Sequence, residues 1–386
     1  MSSYLPSSHL TSPSVHRRRA ARIGRCGPRP LALHVAYAEW AWRSGNSQQL
    51  ASFYQGVKAY RHHPYHRDAL RRPTVWEEGN CRLIDYGPID GWPLLVIPSL
   101  VNRAYILDLM PGASLLEFLR SCGVRPLLLD WGDGTGPDRQ LSLNGLIQER
   151  MAPALSWIHY AIGKLPLVLG YCMGGTLATA LACRHQDQMA GLALLATPWD
   201  FNHDHRSSDQ FMSCCNELAS GTSRIGGLPV DFLQTLFAQI DPLNVPRKFA
   251  HFARMNPTSD AAVRFVAIED WLNDGVSLSP EVAAECLRDW YGYNVPARGA
   301  WQVGDFIVRP ELLDLPVCLV IPDRDRIVPP DSALALGNLI RERELIRPKA
   351  GHVGMVVGQN AKATLWTPLL LWLRHIAAMQ KKPWKN

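Results

Sequence analysis

One stretch constrains the fold more than any other: LPLVLGYCMGGTLATALA, residues 165 to 182. An apolar run, Leu165 to Leu169, meets Gly170-Tyr171-Cys172-Met173-Gly174-Gly175, and a small-residue helical pattern follows. That is a strand, a tight turn and a helix in immediate succession. It has the outline of a G-x-S-x-G nucleophile elbow with cysteine in the place of serine. A side chain on such a turn needs small neighbours, because the backbone is strained and the helix packs close to the strand. The following helix aims its N-terminus at the reacting atom, where its dipole favours negative charge.

The surrounding sequence supplies the sheet that such an elbow needs. Continuous Val/Leu/Ile runs occur in PLLVIPS (93–99), RPLLLDWG (125–132), LPLVLG (165–170), MAGLALLATP (189–198) and LPVCLVIPDRD (315–325). RERELIRPKAGH (341–352) holds a sixth candidate. Strands without polar alternation, separated by helical patterns such as SLLEFLRSCG (114–123), argue for a mostly parallel sheet with helices on both faces. The class is α/β. Residues 35 to 75 carry helical periodicity with many aromatics.

The strand–helix rhythm stops between Asp200 and Leu313. That block contains LPVDFLQTLFAQIDPLN, DAAVRFVAIEDWLND and SPEVAAECLRDWYGYN, three helical patterns rich in aromatics. We expect residues 200–313 to be a helical lid or cap inserted into a core formed by residues 36–199 and 314–380. Trp271, Phe232, Leu236 and Trp290 are the lid residues expected to contact core, partner or substrate.

Composition sets the remaining bounds. At 386 residues, 47% hydrophobic and 19% charged, the chain can bury one large core with an insertion. The net charge of +6 owes much to Arg17, Arg18, Arg19, Arg22 and Arg25, and no acidic residue precedes Glu39. Residues 1–35 read as a disordered basic tail or an over-extended gene start rather than a targeting segment. No apolar run reaches the roughly 18 residues of a membrane span, and the charge alone is a weak reason to invoke nucleic acid. The nine cysteines, 26, 81, 122, 172, 183, 214, 215, 286 and 318, include no C-x-x-C pair and no Cys/His metal spacing. Most read as reduced, buried small hydrophobes of a cytoplasmic protein.

Cys172 has candidate partners. On a sheet with this elbow the triad runs in the order nucleophile, acid, histidine. IPDRDRIVPP places Asp323 and Asp325 just after a strand, and KAGHVGMV places His352 in a small-residue loop. The order 172, 325, 352 fits a Cys-His-Asp triad. Two backbone N–H groups would meet an oxyanion: that of Met173, directly after the nucleophile, and one after PLLVIPS, near Leu100 or Val101.

At this point the chain resembles a known family. GYCMGG, LLATPWDF, DRIVPP, GHVG, IPSLVNRAYILDL and LLLDWG look like motifs of the polyhydroxyalkanoate synthases. GGLPVDFLQTLFAQIDP, AIEDWLND and LRDWYGYN, within the insertion, also look similar. The resemblance runs from about residue 60 to 375 and is closest to the short class III and IV catalytic subunits. It implies an α/β-hydrolase fold. It places the nucleophile on Cys172, the catalytic histidine on His352 and the aspartate on Asp325 rather than Asp323. Two departures stand out. Arg326 replaces the histidine usual after the aspartate, and DGTGPDRQLSL is unusually Gly-rich.

The resemblance further implies an acyltransferase that polymerises 3-hydroxyacyl-CoA into polyester, such as poly(3-hydroxybutyrate), with release of CoA. No cofactor is expected, because the coenzyme A thioester is the substrate. The implied partners are a second synthase subunit or a homodimer and the polymer granule surface, in the cytoplasm, with no nucleic acid and no transmembrane segment. Two rivals remain open: a Cys-dependent hydrolase or thioesterase on the same fold, and a catalytically idle homologue that binds granules or partners.

Overall fold

A computed structural model of the chain describes residues 24–43, 45–68, 70–132, 136–203 and 209–380. Its centre is an eight-stranded sheet. The strands are β1 (Thr74–Glu78), β2 (Cys81–Asp85), β3 (Trp92–Ile97), β4 (Val124–Asp130), β5 (Leu167–Tyr171), β6 (Gly191–Leu195), β7 (Val317–Val320) and β8 (Arg343–Ile346). They lie in the order β1-β2-β4-β3-β5-β6-β7-β8. From β4 to β8 every neighbour is parallel. The β1–β2 hairpin joins antiparallel at one edge.

Alternate residues of the strands feed two separate cores, as the two-residue period of a strand requires. Leu95, Ile97, Val168, Leu192 and Leu319 point into one. Leu94, Val96, Leu169, Ala193 and Val320 point into the other. Burial on both faces explains why these strands read as unbroken apolar runs. The hairpin has no such signature. Its TVWEE strand lies on the open edge, with only Val75 and Trp76 half-buried and the rest exposed.

The helices are α1 (Leu31–Trp42), α2 (Ser47–His62), α3 (Leu115–Ser121), α4 (Ala152–Ile162), α5 (Met173–His185), α6 (Asp209–Ile225), α7 (Val230–Ile240), α8 (Asn244–Phe252), α9 (Asp260–Asn273), α10 (Pro280–Glu285), α11 (Pro330–Leu339) and α12 (Thr367–Gln380). The helical periodicity expected over 35–75 ends at His62, and the described residues between it and β1 are in neither helix nor strand. Helices α6 to α10 follow one another between β6 and β7, and α10 widens into a π-helical turn at Cys286–Gly292.

Of the expected basic tail, residues 1–23 lie outside the described residues. The rest is built into the fold. Arg25 Nε and Nη2 reach the two carboxylate oxygens of Asp270 at 2.6 and 2.7 Å, and Nη1 donates to His63 O at 2.6 Å. Helix α1 then packs with α2 and α8 in a third apolar cluster around Phe53, Tyr60 and Phe249. The physical reason is that Arg25 finds a carboxylate in α9, 245 positions away, which no local pattern reveals.

Candidate active site

The elbow forms where the sequence places it. Strand β5 ends at Tyr171, Cys172 takes φ 55° and ψ −127°, and α5 starts at Met173. A non-glycine residue in this region carries backbone strain, so the surroundings must hold it. Cys172 N donates to Leu195 O and Gly175 N donates to Cys172 O, both at 2.8 Å. The glycines serve close approach. A Cβ on Gly174 would overlap the carbonyl oxygens of Ile97 and Pro98, and one on Gly175 would overlap the Thr197 hydroxyl. Helix α5 therefore sits directly against the end of β3, and Cys172 stays half-buried at the junction.

The loop after β7 delivers the acid. Asp325 is buried, and its Oδ1 accepts N–H bonds from Ile327 at 2.9 Å and Val328 at 3.0 Å. Its Oδ2 lies 2.7 Å from His352 Nδ1. Asp323 faces elsewhere, accepting from Arg347 Nε at 2.7 Å in an exposed pair. His352 is itself buried, in the loop after β8. With Nδ1 taken by Asp325, Nε2 is the ring nitrogen left for Cys172.

The electrostatics follow from this arrangement. Burial alone would lower the His352 pKa. The negative charge of Cys172, that of Asp325 and hydrogen bonds to both outweigh burial, and the imidazole is raised to about 10. Its proton is thus retained across the neutral range. Tyr171 packs on the imidazole with ring centres 5.2 Å apart, and burial pushes its phenol far up. It was not singled out in the sequence, although it occupies the x of the elbow motif. Of the other cysteines, Cys81, Cys215, Cys286 and Cys318 are buried, whereas Cys26 and Cys214 are exposed. Burial pushes Cys183 and Cys318 up to about 12. Among the described residues no group of three or more His, Cys, Asp or Glu could hold a metal ion.

Met173 N–H lies in the first turn of α5, where helix geometry leaves backbone donors without intrahelical partners. Leu100 and Val101 belong to the apolar cluster against which Cys172 and Met173 pack. Gly174, next to Met173, lies against the carbonyl oxygens of Ile97 and Pro98, so the two stretches expected to supply oxyanion donors adjoin. Residues 133–135 of the Gly-rich DGTGPDRQLSL lie outside the described residues. Further along it, Asp138 Oδ1 accepts from Arg150 Nε at 3.0 Å.

The four expected lid contacts separate. Trp290 is wholly buried, stacked on Phe201 at 5.3 Å and edge-on to Trp301 at 5.4 Å. It meets the expectation through the core of the cap, because a large aromatic on an apolar helix face is satisfied by its neighbours. Trp271 is also buried, and its Nε1 donates to Arg103 O at 2.7 Å. Phe232 is half-buried, and Leu236 stays 39% exposed, one turn before the exposed Ile240. Arg326 pairs with Asp241 at 2.7 Å, and Asp241 also takes Arg247. The loop of the acid thus touches the end of α7.

A model described as the alpha/beta hydrolase fold matches residues 93–359, and the chain belongs to this family. Within it, the chain is similar to the poly(3-hydroxyalkanoate) polymerase subunit PhaC of Haloferax mediterranei, at 26% identity over 78% of this chain and 63% of that one. Its counterpart from Haloarcula marismortui is 27% identical over 78% of this chain and 66% of its own length. That of Allochromatium vinosum is 28% identical over 78% and 88%. The chain spans less than two thirds of the length of the first two. The resemblance to polyhydroxyalkanoate synthases carried by the motifs thus extends over most of the chain. Among solved structures, the alpha/beta hydrolase GrgF of Penicillium sp. superposes with a TM-score of 0.50 at 16% identity, over 80% of this chain and 98% of that one, a likeness of fold.

Proposed function

We propose that this chain is an acyltransferase of the polyhydroxyalkanoate synthase type, which polymerises 3-hydroxyacyl-CoA through Cys172, His352 and Asp325. The observation that carries the reading is the buried His352–Asp325 contact of 2.7 Å beside a cysteine at a strained elbow. The names of the sequence relatives, poly(3-hydroxyalkanoate) polymerase subunits, support the substrate class.

The thiol suits the chemistry. Cys172 Sγ attacks the thioester carbonyl, the new S–C bond forms, and the bond to the CoA sulfur breaks. One thioester replaces another, so the acyl group stays activated on the enzyme. His352 holds the proton that the leaving CoA thiolate takes up. Acylation also removes the charge of Cys172, the larger of the two charges that hold the His352 proton in place. The imidazole is then free to accept the proton of an incoming 3-hydroxyl, whose oxygen attacks the acyl-enzyme; the ester C–O bond forms, the Sγ–C bond breaks, and the Cys172 thiolate is released beside the reprotonated imidazole. Asp325 orients the ring at both steps. The N–H groups of Met173 and of the segment near Leu100 meet the oxyanion. Residues 200–313 act as a lid that excludes water, which would otherwise end the chain by hydrolysis.

The partners in this reading are a second synthase subunit or a second copy of the chain, with the polymer granule surface as the workplace in the cytoplasm and no cofactor. No helix among the described residues is long and apolar enough to cross a membrane. The test is to supply 3-hydroxybutyryl-CoA, with and without candidate subunits, and to measure CoA release alongside polymer. Polymer supports the reading. Free hydroxy acid without polymer replaces it with a thioesterase, and no CoA release under any condition replaces it with an idle homologue.

A further inference from the structure

The segment after β3 would supply the second oxyanion donor. Trp131 Nε1 donates to Pro98 O at 3.1 Å, Arg103 Nη1 to Gly132 O at 3.0 Å and Val101 N to Ser99 Oγ at 3.5 Å. The segment is also held from the insertion. Val276 N donates to Val101 O at 2.9 Å, and Asn102 and Gly275 form an isolated antiparallel bridge. Asn102 Nδ2 donates to Trp271 O at 3.4 Å, and Trp271 Nε1 donates to Arg103 O at 2.7 Å. Arg103 and Asp274 add an ion pair at 3.7 Å. Five ties therefore join two short segments about 170 positions apart, and one of them is a buried indole N–H on a backbone carbonyl.

Helix α9, which ends in this segment, is itself anchored. Asp270 takes both arms of Arg25 and the Tyr60 hydroxyl at 2.7 Å. Asn273 Nδ2 donates to Tyr60 Oη at 2.9 Å. The chain from Arg25 to Tyr60 thus braces α9, and the end of α9 braces the loop beside Cys172.

We propose that Trp271–Val276 clamps the segment 99–103 in register with the α5 N-terminus, and that Trp271 is a positioning residue for acyl transfer. It acts through Arg103 O and touches no reacting atom. This rests on the proposed function only in needing an acyl-enzyme on Cys172. Val101 O and Arg103 O, on the carboxyl side of Leu100 and Val101, are both held by this segment, which fixes the path of the chain leaving those residues. Without the indole donor the carbonyl loses its buried partner and the peptide rotates.

The test separates oxyanion stabilisation from nucleophile reactivity. p-Nitrophenyl acetate acylates Cys172 through a tetrahedral oxyanion, whereas iodoacetamide alkylates it by displacement at carbon with no oxyanion formed. The variants are Trp271→Phe, which keeps the ring and loses the donor, and Val276→Pro, which removes the Val276 N–H. Both are compared with the wild-type chain in nitrophenolate burst rate and in alkylation of Cys172 followed by mass spectrometry. The expected result is a burst roughly tenfold slower in each variant, below the 10²–10³ of a donor removed outright, with alkylation within about twofold of wild type. An unchanged burst overturns the proposal. So does an equal fall in burst and alkylation, which marks a general loss of structure. Polymer formation is measured separately: a wild-type chain that gives the burst but no polymer with any candidate subunit refutes the proposed function and leaves the clamp standing.

Discussion

His352 Nδ1 lies 2.7 Å from Asp325 Oδ2, and both side chains are shut away from solvent. The opposite carboxylate oxygen is fixed by two backbone N–H groups, so the ring can take only one orientation relative to Cys172. A carboxylate two residues earlier, Asp323, is spent on Arg347 at the surface. Asp325→Asn should therefore cost about 10³–10⁴ in the rate of CoA release, by analogy with the loss of an orienting aspartate elsewhere. Asp323→Asn should stay within about threefold of wild type. The reverse ranking would show that the acid has been assigned to the wrong residue.

The raised pKa of His352 gives a signed pH dependence. The folded value, about 10, lies above the ordinary 6.5. Between these two values the folded state holds a proton that the unfolded state has lost. The stabilisation from His352 is thus complete below about pH 6.5 and disappears as pH rises through about 10. Cys172→Ala removes the larger of the charges that raise it. In NMR titrations the His352 ring signals of that variant should move at a lower pH than in the wild-type chain, while still being held up by Asp325. An unmoved titration would mean that Cys172 and His352 are not electrostatically coupled.

Cys172→Ala should abolish both CoA release and covalent labelling by substrate. Cys172→Ser should keep the fold and lose most activity, because an unassisted hydroxyl is a far poorer nucleophile than a thiolate. Circular dichroism checks the fold and a labelled acyl-CoA checks the covalent step. Full activity in the alanine variant would remove Cys172 from the mechanism.

The legibility of these features in the sequence follows from how local their causes are. Strands β3 to β7 are buried on both faces, so each is an apolar run that announces itself. Cys172, Asp325 and His352 each follow a strand, and chain order alone groups them. The β1–β2 hairpin escaped because TVWEEGNCRLID mixes charge into an edge that water reaches. Trp271 was readable as an aromatic of an amphipathic helix, but not as a donor to Arg103 O, 168 positions away. Arg25 was read as part of a tail for the same reason: its partner Asp270 is not a neighbour in sequence. Trp290 was readable as a packing residue, because a large aromatic on an apolar helix face needs no distant partner to be buried.

Arg25→Ala should loosen α9. The pair with Asp270 is largely shielded, with 12% and 26% of the two side chains exposed, and removing the guanidinium leaves a carboxylate that only Tyr60 and solvent can serve. Breaking a fully buried pair costs about 3–5 kcal/mol, and the residual exposure brings the expectation here to about 2 kcal/mol. Thermal melting measures it. Arg326→Ala, which breaks a surface pair with Asp241, should cost less than about 1 kcal/mol. Equal losses would show that burial does not govern these pairs.

The helices between β6 and β7 give the prediction that bears most on access to Cys172. Their two ends are clasped at the base: Asn294 Nδ2 donates to Asp200 Oδ1 at 2.8 Å, and Phe201 N donates to Asn294 Oδ1 at 3.0 Å. Trp290, Phe201 and Trp301 fill the space beside that clasp. This part should behave as core. Further out, α7 carries the exposed Leu236 and Ile240, and the end of α6 the exposed Ile225. Helix α6 packs on α10 and on the turn after it, but α7 meets few other elements, and opening there is correspondingly cheap. In hydrogen exchange, residues 230–240 should exchange quickly in the free chain and become protected on adding an acyl-CoA analogue or a partner subunit. The strands around Leu167 and Val320 should stay protected throughout, and α6 and the turn around Trp290 should follow the strands. Slow exchange over 230–240 that no ligand or partner alters would leave a rigid cap and end the case for a lid.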